Sequence, residues 1–276
     1  MQKCAGGIRQ MNVKRGGTTY YYRDYTDDFV ESAHQDQTLP EDYRWIHKNI
    51  FYRLISAVLY RVVLIFALLY GKFVLRIHVK NRKVLKKAAK TGCFLYGNHT
   101  QPMGDVFGPT LYCFPMRMSA VASPSNLGIP VIGKLLPMLG GLFIPDSMGQ
   151  MKKFMEAVQY HVKKKRCIVI YPEAHVWPWC TFIRPFQATA FRFPVLYDVP
   201  AFCMTTTYQQ RKHGSKPKIV VYIDGPFLAE PGKNTRERQM DLHARIHACM
   251  ESRSRESTCE YIRYQKENSC PTEIRQ

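Results

Sequence analysis

Several signatures that would place this chain at once are missing. Its nine cysteines, Cys4, Cys93, Cys113, Cys167, Cys180, Cys203, Cys249, Cys259 and Cys270, include no Cys-x-x-Cys pair. An odd, scattered set argues against both a zinc site and a disulfide framework. The cysteines inside apolar runs read as small core residues of a protein kept in a reducing setting. There is no Gly-x-Ser-x-Gly elbow, which removes the main signature of an α/β-hydrolase esterase. Zinc-finger spacing, a basic region with heptads and an aromatic RNA-binding strand are all absent, so nucleic acid is not an expected partner. No internal repeat appears, and no apolar core follows the opening MQKCAGGIRQ as a cleaved signal peptide would need. Carboxylates are scarce: 21 Asp and Glu stand against 40 Lys and Arg, a net charge of +19. That excess predicts attraction to something anionic, such as lipid headgroups or phosphorylated small molecules.

What is present suits one α/β domain with additions at its N-terminal side, and 276 residues suffice to bury its core. Residues 1–47 are polar and read as a loosely ordered arm. The acidic stretch at 24–29 has no His or Cys beside it and reads as a solvated turn. Residues 48–72 hold a hydrophobic membrane-docking helix, apolar from 51 to 70 except for Arg53 and Arg61. Crossing a bilayer takes about 20 apolar residues. Arg61 near the middle would add a penalty of roughly 2.5–3.5 kcal/mol. A helix lying in the membrane surface is therefore favoured over a span or a buried soluble helix. Arg53, Arg61, Lys72 and Arg76 would reach headgroups, with Tyr60 and Tyr70 at the interface.

Residues 73–253 alternate short β-rich runs with helical ones, the pattern of a mixed sheet surrounded by helices. Strands are predicted at 73–79, 93–96, 117–122, 142–144, 167–171, 201–205 and 219–223. A helix at 149–165 turns Met151, Phe154, Met155, Val158 and Val162 inward. A closing helix at 234–253 is expected to bury Met240, Leu242, Ile246 and Met250, and a polar tail follows at 254–276. His243 and His247 stand four apart on that helix, but no Glu completes a metal-binding pair, so they read as surface histidines.

The segment CFLYGNHTQPMGD, residues 93–105, carries the chemistry. A buried strand ends at Gly97 and presents Asn98 and His99 where the chain leaves the sheet, the place where α/β folds hold ligands. Imidazole titrates near neutrality and can deprotonate an attacking hydroxyl. A carboxylate on its far nitrogen would set the tautomer, and Asp105 is the nearest candidate.

This segment resembles the first block of the glycerolipid acyltransferase family, Asn-His followed by four residues and Asp. Here five residues separate His99 from Asp105, and Pro102 and Gly104 favour a non-helical start that absorbs the extra one. The family's second block, ending in Phe-Ile-x-Arg, resembles GKLLPMLGGLFIPD, residues 133–146. Gly140 and Gly141 would let backbone approach a ligand, or would simply turn the chain. Pro145 and Asp146 replace the expected arginine, which leaves Lys134 as a candidate for phosphate. The third block is matched by CIVIYPEAH, residues 167–175, where Pro172 and Glu173 remain and Ala174 and His175 replace Gly-Thr. The fourth resembles DVPAFCM, residues 198–204, a structural entry to a strand.

The resemblance implies transfer of a fatty acyl group from acyl-CoA or acyl carrier protein to a lysophospholipid or glycerol-phosphate hydroxyl. It assigns His99 as base and Asp105 as its orienting partner. Asn98, Lys134, Glu173 and Arg184 would shape the substrate site, Glu173 by ordering a nearby cation or backbone. A buried Glu173–Arg184 ion pair is the structural alternative. No metal or cofactor is required, and the expected location is the cytoplasmic face of a membrane, peripheral or monotopic. The reading from another class is a non-catalytic basic protein that docks on anionic membranes.

Overall fold

The computed structural model describes residues 11–13, 17–30, 37–102, 104–212, 214 and 216–267. In chain order the elements are β1 (Met11–Val13), β2 (Gly17–Tyr22), α1 (Ile50–Leu69), β3 (His78–Lys80), β4 (Cys93–Gly97), α2 (Gly104–Cys113), β5 (Met118–Ala122) and α3 (Ile132–Leu139). They continue with β6 (Gly141–Phe143), α4 (Met148–Lys163), β7 (Cys167–Ile170), α5 (Arg192–Tyr197), β8 (Ala201–Gln209), β9 (Lys218–Phe227), α6 (Thr235–Ser254) and β10 (Ile262–Lys266).

A central strand covered on both faces must be apolar along its whole length, and β4 meets that demand. Phe94 and Tyr96 join the core on one side of the sheet, while Cys93 and Leu95 join the core on the other. The main sheet runs β3-β9-β8-β4-β7-β5-β6. β8, β4, β7, β5 and β6 are mutually parallel, β9 is antiparallel to β8, and β3 runs with β9. This is the mixed sheet expected. Its helix α4 places Phe154 and Val158 on one face together with Leu242 and Ile246 of α6. Tyr112 and Cys113 of α2 close the other face. Because five strands are parallel, the loops after β4, β5 and β7 all leave from one edge of the sheet. The N-termini of β5, β6 and β7 lie at the opposite edge.

Several expectations are corrected. The strand expected at 73–79 begins only at His78, because a π-helical turn over Tyr70–Val74 extends α1. Leu75 N–H donates to Tyr70 C=O and Ile77 N–H to Gly71 C=O, which keeps that backbone bonded to the helix rather than to a strand. Met240 is half exposed, unlike Leu242, Ile246 and Met250. Two residues turn a helix by about 200°, so Met240 and Leu242 cannot share the inner face. The arm, read as loosely ordered, and the tail, read as polar, build a second sheet in the order β1-β2-β10. β10 runs parallel to β2, and Trp177, Tyr22 and Cys180 pack beneath with Tyr264 and Phe29.

The hydrophobic helix forms as expected. Asn49 caps it through its side chain. Ile50–Val74 is long and apolar enough to cross a membrane, with 17% of its most apolar stretch buried inside the protein. It is also tied to the domain: Ser56 Oγ donates to Met138 C=O, Tyr60 Oη accepts from Met118 N–H, and Phe66 and Tyr70 pack on Phe107 of α2.

Candidate active site

β4 delivers His99 to the edge where the parallel strands end. Gly97 permits this: a Cβ there would sit 2.6 Å from the Met204 side chain and 2.8 Å from the Tyr171 ring. Tyr171, at the end of β7, uses the freed space to stack on His99 with ring centroids 4.3 Å apart. Its hydroxyl donates to Asp105 C=O at 2.8 Å. Burial pushes the Tyr171 phenol well above its ordinary range, with the Asp105 charge adding to the effect, so it stays a neutral donor.

Asp105 lies in the first turn of α2. Its Oδ2 is 2.8 Å from His99 Nδ1 and accepts the N–H groups of Thr100 and Gln101 at 2.9 Å each. A carboxylate that gathers two backbone donors accepts from the imidazole as well, so Nδ1 carries the proton and Nε2 keeps its lone pair. The extra residue relative to the family spacing is taken up between His99 and α2, where Asp105 N–H donates to Gln101 C=O. Thr100 and Gln101 are anchored in turn on the buried Tyr208 hydroxyl, both at 2.7 Å. The His99 side chain keeps 20% exposure while Asp105 keeps 6%, so the imidazole alone of the pair faces solvent to a useful extent.

Glu173 ties the third block to the first. Its Oε2 accepts His99 N–H at 2.9 Å and pairs with Arg184 Nη2 at 3.0 Å, and its Oε1 accepts Arg184 N–H. Arg184 is 1% exposed. Its guanidinium also donates to the carbonyls of Tyr25 and His175 and lies over the Trp177 ring. This corrects the expectation that Arg184 meets a substrate phosphate: it is enclosed, and its charge is balanced by Glu173. Asn98 is corrected likewise. It is 2% exposed and exchanges both side-chain bonds with the Thr206 backbone, which clamps β4 to β8.

Lys134 is exposed in the first turn of α3, on the His99 edge. It enters the fold from β5, two strands from β4 in the sheet order, or about 10 Å of sheet width. The Gly140-Gly141 pair is not near that edge. Gly140 ends α3 at φ +104°, and a Cβ on it would come within 2.9 Å of Met118 C=O, so it serves packing and not ligand approach.

Three features lay outside the sequence reading. One is Tyr171, present in the quoted third block but without an assigned role. A second is the acidic turn, which docks beside that block: Asp28 pairs with His175 at 3.3 Å, and Asp27 C=O accepts from Trp177. The third concerns metal-capable groups. Among the described residues Cys203, Asp224 and Cys249 fall together. Arg253 already engages both oxygens of Asp224, at 2.9 and 2.8 Å. His243 Nε2 donates to Phe186 C=O at 2.9 Å and its ring packs on Phe186 and Phe191, so it is partly buried rather than a surface residue.

An α/β domain with a histidine–carboxylate pair at the ends of its parallel strands is thus defined. Residues 76–206 match the model of the family described as Acyltransferase. That stretch is just under half of the chain, and the match is in keeping with the glycerolipid acyltransferase resemblance of its motifs. Among solved structures, the chain is similar to the 1-acyl-sn-glycerophosphate (LPA) acyltransferase PlsC from Thermotoga maritima. The two are 14% identical over 73% of this chain and 93% of that one, with a TM-score of 0.49. No curated protein sequence matches the chain.

Proposed function

We propose that this acyltransferase moves a fatty acyl group from acyl-CoA or acyl carrier protein to the hydroxyl of a lysophospholipid or glycerol-phosphate acceptor. The observation that carries the reading is the 2.8 Å contact of His99 Nδ1 with Asp105, which leaves Nε2 free at the strand edge inside the family-matched segment. Nε2 takes the acceptor hydroxyl proton as the oxygen attacks the thioester carbonyl. The tetrahedral intermediate then collapses, the C–S bond breaks, and the thiolate leaves with the proton from the imidazolium. Asp105 remains ionised and stabilises that imidazolium. Glu173 and Tyr171 fix the backbone and ring of His99, and Lys134 is the exposed cation for an acceptor phosphate.

The test is acyl transfer by the purified chain in mild detergent, with both donors against a panel of lysophospholipids and glycerol 3-phosphate. His99→Ala is expected to lower turnover by at least about a hundredfold with an unchanged circular dichroism spectrum. Transfer at the wild-type rate by that variant overturns the mechanism. Absence of transfer with every pair, alongside retained vesicle binding, would favour the non-catalytic basic docking protein instead.

The membrane reading is monotopic attachment at the cytoplasmic face. Support comes from the exposed Phe51, Leu54, Val58, Val62, Ile65 and Leu69 on a helix held to the domain along its length. Val131 and Ile132, which lead into α3 at the His99 edge, are exposed too. Binding to anionic vesicles should weaken as salt rises, since each basic residue near such a surface contributes about 1 kcal/mol that counterions screen. Salt-independent pelleting would point to deep insertion.

A further inference from the structure

At the sheet edge opposite His99 lies a cleft of about 420 Å³ between the first half of α1, the C-terminal end of α4 and the strand starts. Cations dominate its polar lining: Arg53, Arg117, Lys164 and Arg166, with His47 and His161. Among the described residues, no carboxylate lies within ion-pair distance of any of these four basic side chains. Arg166 Nη1 is 3.3 Å from both ring nitrogens of His161. Arg117 turns one nitrogen toward Ser56 Oγ and Met138 C=O, while its Nε is buried with no hydrogen-bond partner among the described residues. Burial lowers the Arg166 pKa to about 10, with the Arg117 charge adding to the effect. The carbonyl end of α4 offers about half a negative charge, too little to balance three guanidinium groups and an ammonium.

We propose that this cleft is a second anion site, which binds a phosphate group carried by a phospholipid headgroup or free in solution. Forked guanidinium donors and a lysine suit the several oxygens of a phosphate. The site stands apart from the acyl-transfer site: Arg117 and Arg166 precede β5 and β7, whereas His99 follows β4. At about 3.3 Å per residue the length of a five-residue strand separates the two edges by about 15 Å. Ile50 and Leu54, both exposed, complete the lining at the start of the apolar helix. A headgroup held here would leave its acyl chains beside α1.

Binding is measured by calorimetry and thermal shift on the full chain in uncharged detergent. The probes are inorganic phosphate, dihexanoyl phosphatidic acid and dihexanoyl phosphatidylcholine, with chloride at matched ionic strength. Saturable binding of a phosphate probe is expected, and Arg166→Gln should raise its Kd at least about tenfold. The exposed double variant Arg53→Gln/Lys164→Gln should do the same, which keeps the test intact if Arg166→Gln fails to fold. Tighter binding of phosphatidic acid than of inorganic phosphate identifies the lipid as the source; equal or weaker binding identifies the free anion. No saturable binding above chloride, or a Kd unchanged in the folded variants, overturns the proposal. Binding that Lys134→Ala abolishes while the cleft variants retain it would place the phosphate at the His99 edge and overturn it equally.

Discussion

At the His99 edge of the sheet Arg184 is 1% exposed and meets Glu173 at 3.0 Å, whereas at the opposite edge Arg117 and Arg166 are partly buried beside other cations. The same residue type therefore does two different things. Where a buried carboxylate neutralises the guanidinium and backbone carbonyls accept from its terminal nitrogens, the arginine is part of the scaffold, even though its Nε has no partner among the described residues. Where the cations stand together with no acid in ion-pair reach among the described residues, the fold carries an unfavourable charge arrangement that a ligand would relieve. A count of basic residues cannot separate these cases, because the difference lies in which side chains are brought together across the sheet.

The largest effect is expected from removing the scaffold arginine. Breaking one partner of a buried ion pair leaves the other charged and unmatched, at a cost of about 3–5 kcal/mol. Arg184→Ala should lower unfolding stability by that order in denaturant titration, because Glu173 and the carbonyls of Tyr25 and His175 lose their donor. If stability is unchanged and the acceptor KM rises instead, Arg184 touches substrate and the contrast between the edges fails.

Asp105→Asn probes how the imidazole is held. The variant removes the anion that favours a proton on Nδ1 and that stabilises the imidazolium. It also replaces an acceptor of two backbone N–H groups. Turnover should fall by at least about tenfold, a smaller loss than for His99→Ala because the base itself remains. The effect should appear in kcat rather than in acceptor KM, measured by initial rates over an acceptor series. An unchanged kcat would mean that another group orients His99.

Much of the fold was legible because periodicity reports burial directly. The apolar run at 93–96 and the stripe of Phe154, Val158 and Val162 each reappear in the core. The His99–Asp105 pairing was also legible, since both ends of the motif are local and its irregular spacing falls in a loop. Longer-range facts were not. Residues 17–22 and 262–266 pair across almost the whole chain, and neither stretch announces its partner. Asn98 and Arg184 had the chemistry of substrate contacts, but Thr206 and Glu173 had already claimed them. The cation cleft draws on α1, α3, α4 and three strand starts, so no segment of sequence displays it.

The smallest effect separates the two edges by pH. His161 lines the cleft, and burial, followed by the Arg166 and Arg117 charges, pulls its pKa down to about 3. Its neutral ring contacts Ser119 Oγ at 2.7 Å. The unfolded chain regains an ordinary histidine near 6.5 and so binds a proton that the folded state refuses. Stability from this group is therefore complete above about pH 6.5 and is lost as pH falls toward 3, with about 1 kcal/mol gone between pH 6.5 and 5.5. His161→Gln should flatten the stability profile in that window by close to one proton, read from urea unfolding at several pH values. Profiles of equal slope would mean that His161 protonates freely in the folded protein. Saturating phosphate should flatten the wild-type profile in part, because an anion beside Arg166 and Arg117 offsets the repulsion that adds to burial in keeping the imidazole neutral. A slope that phosphate leaves untouched would put the anion outside contact with His161.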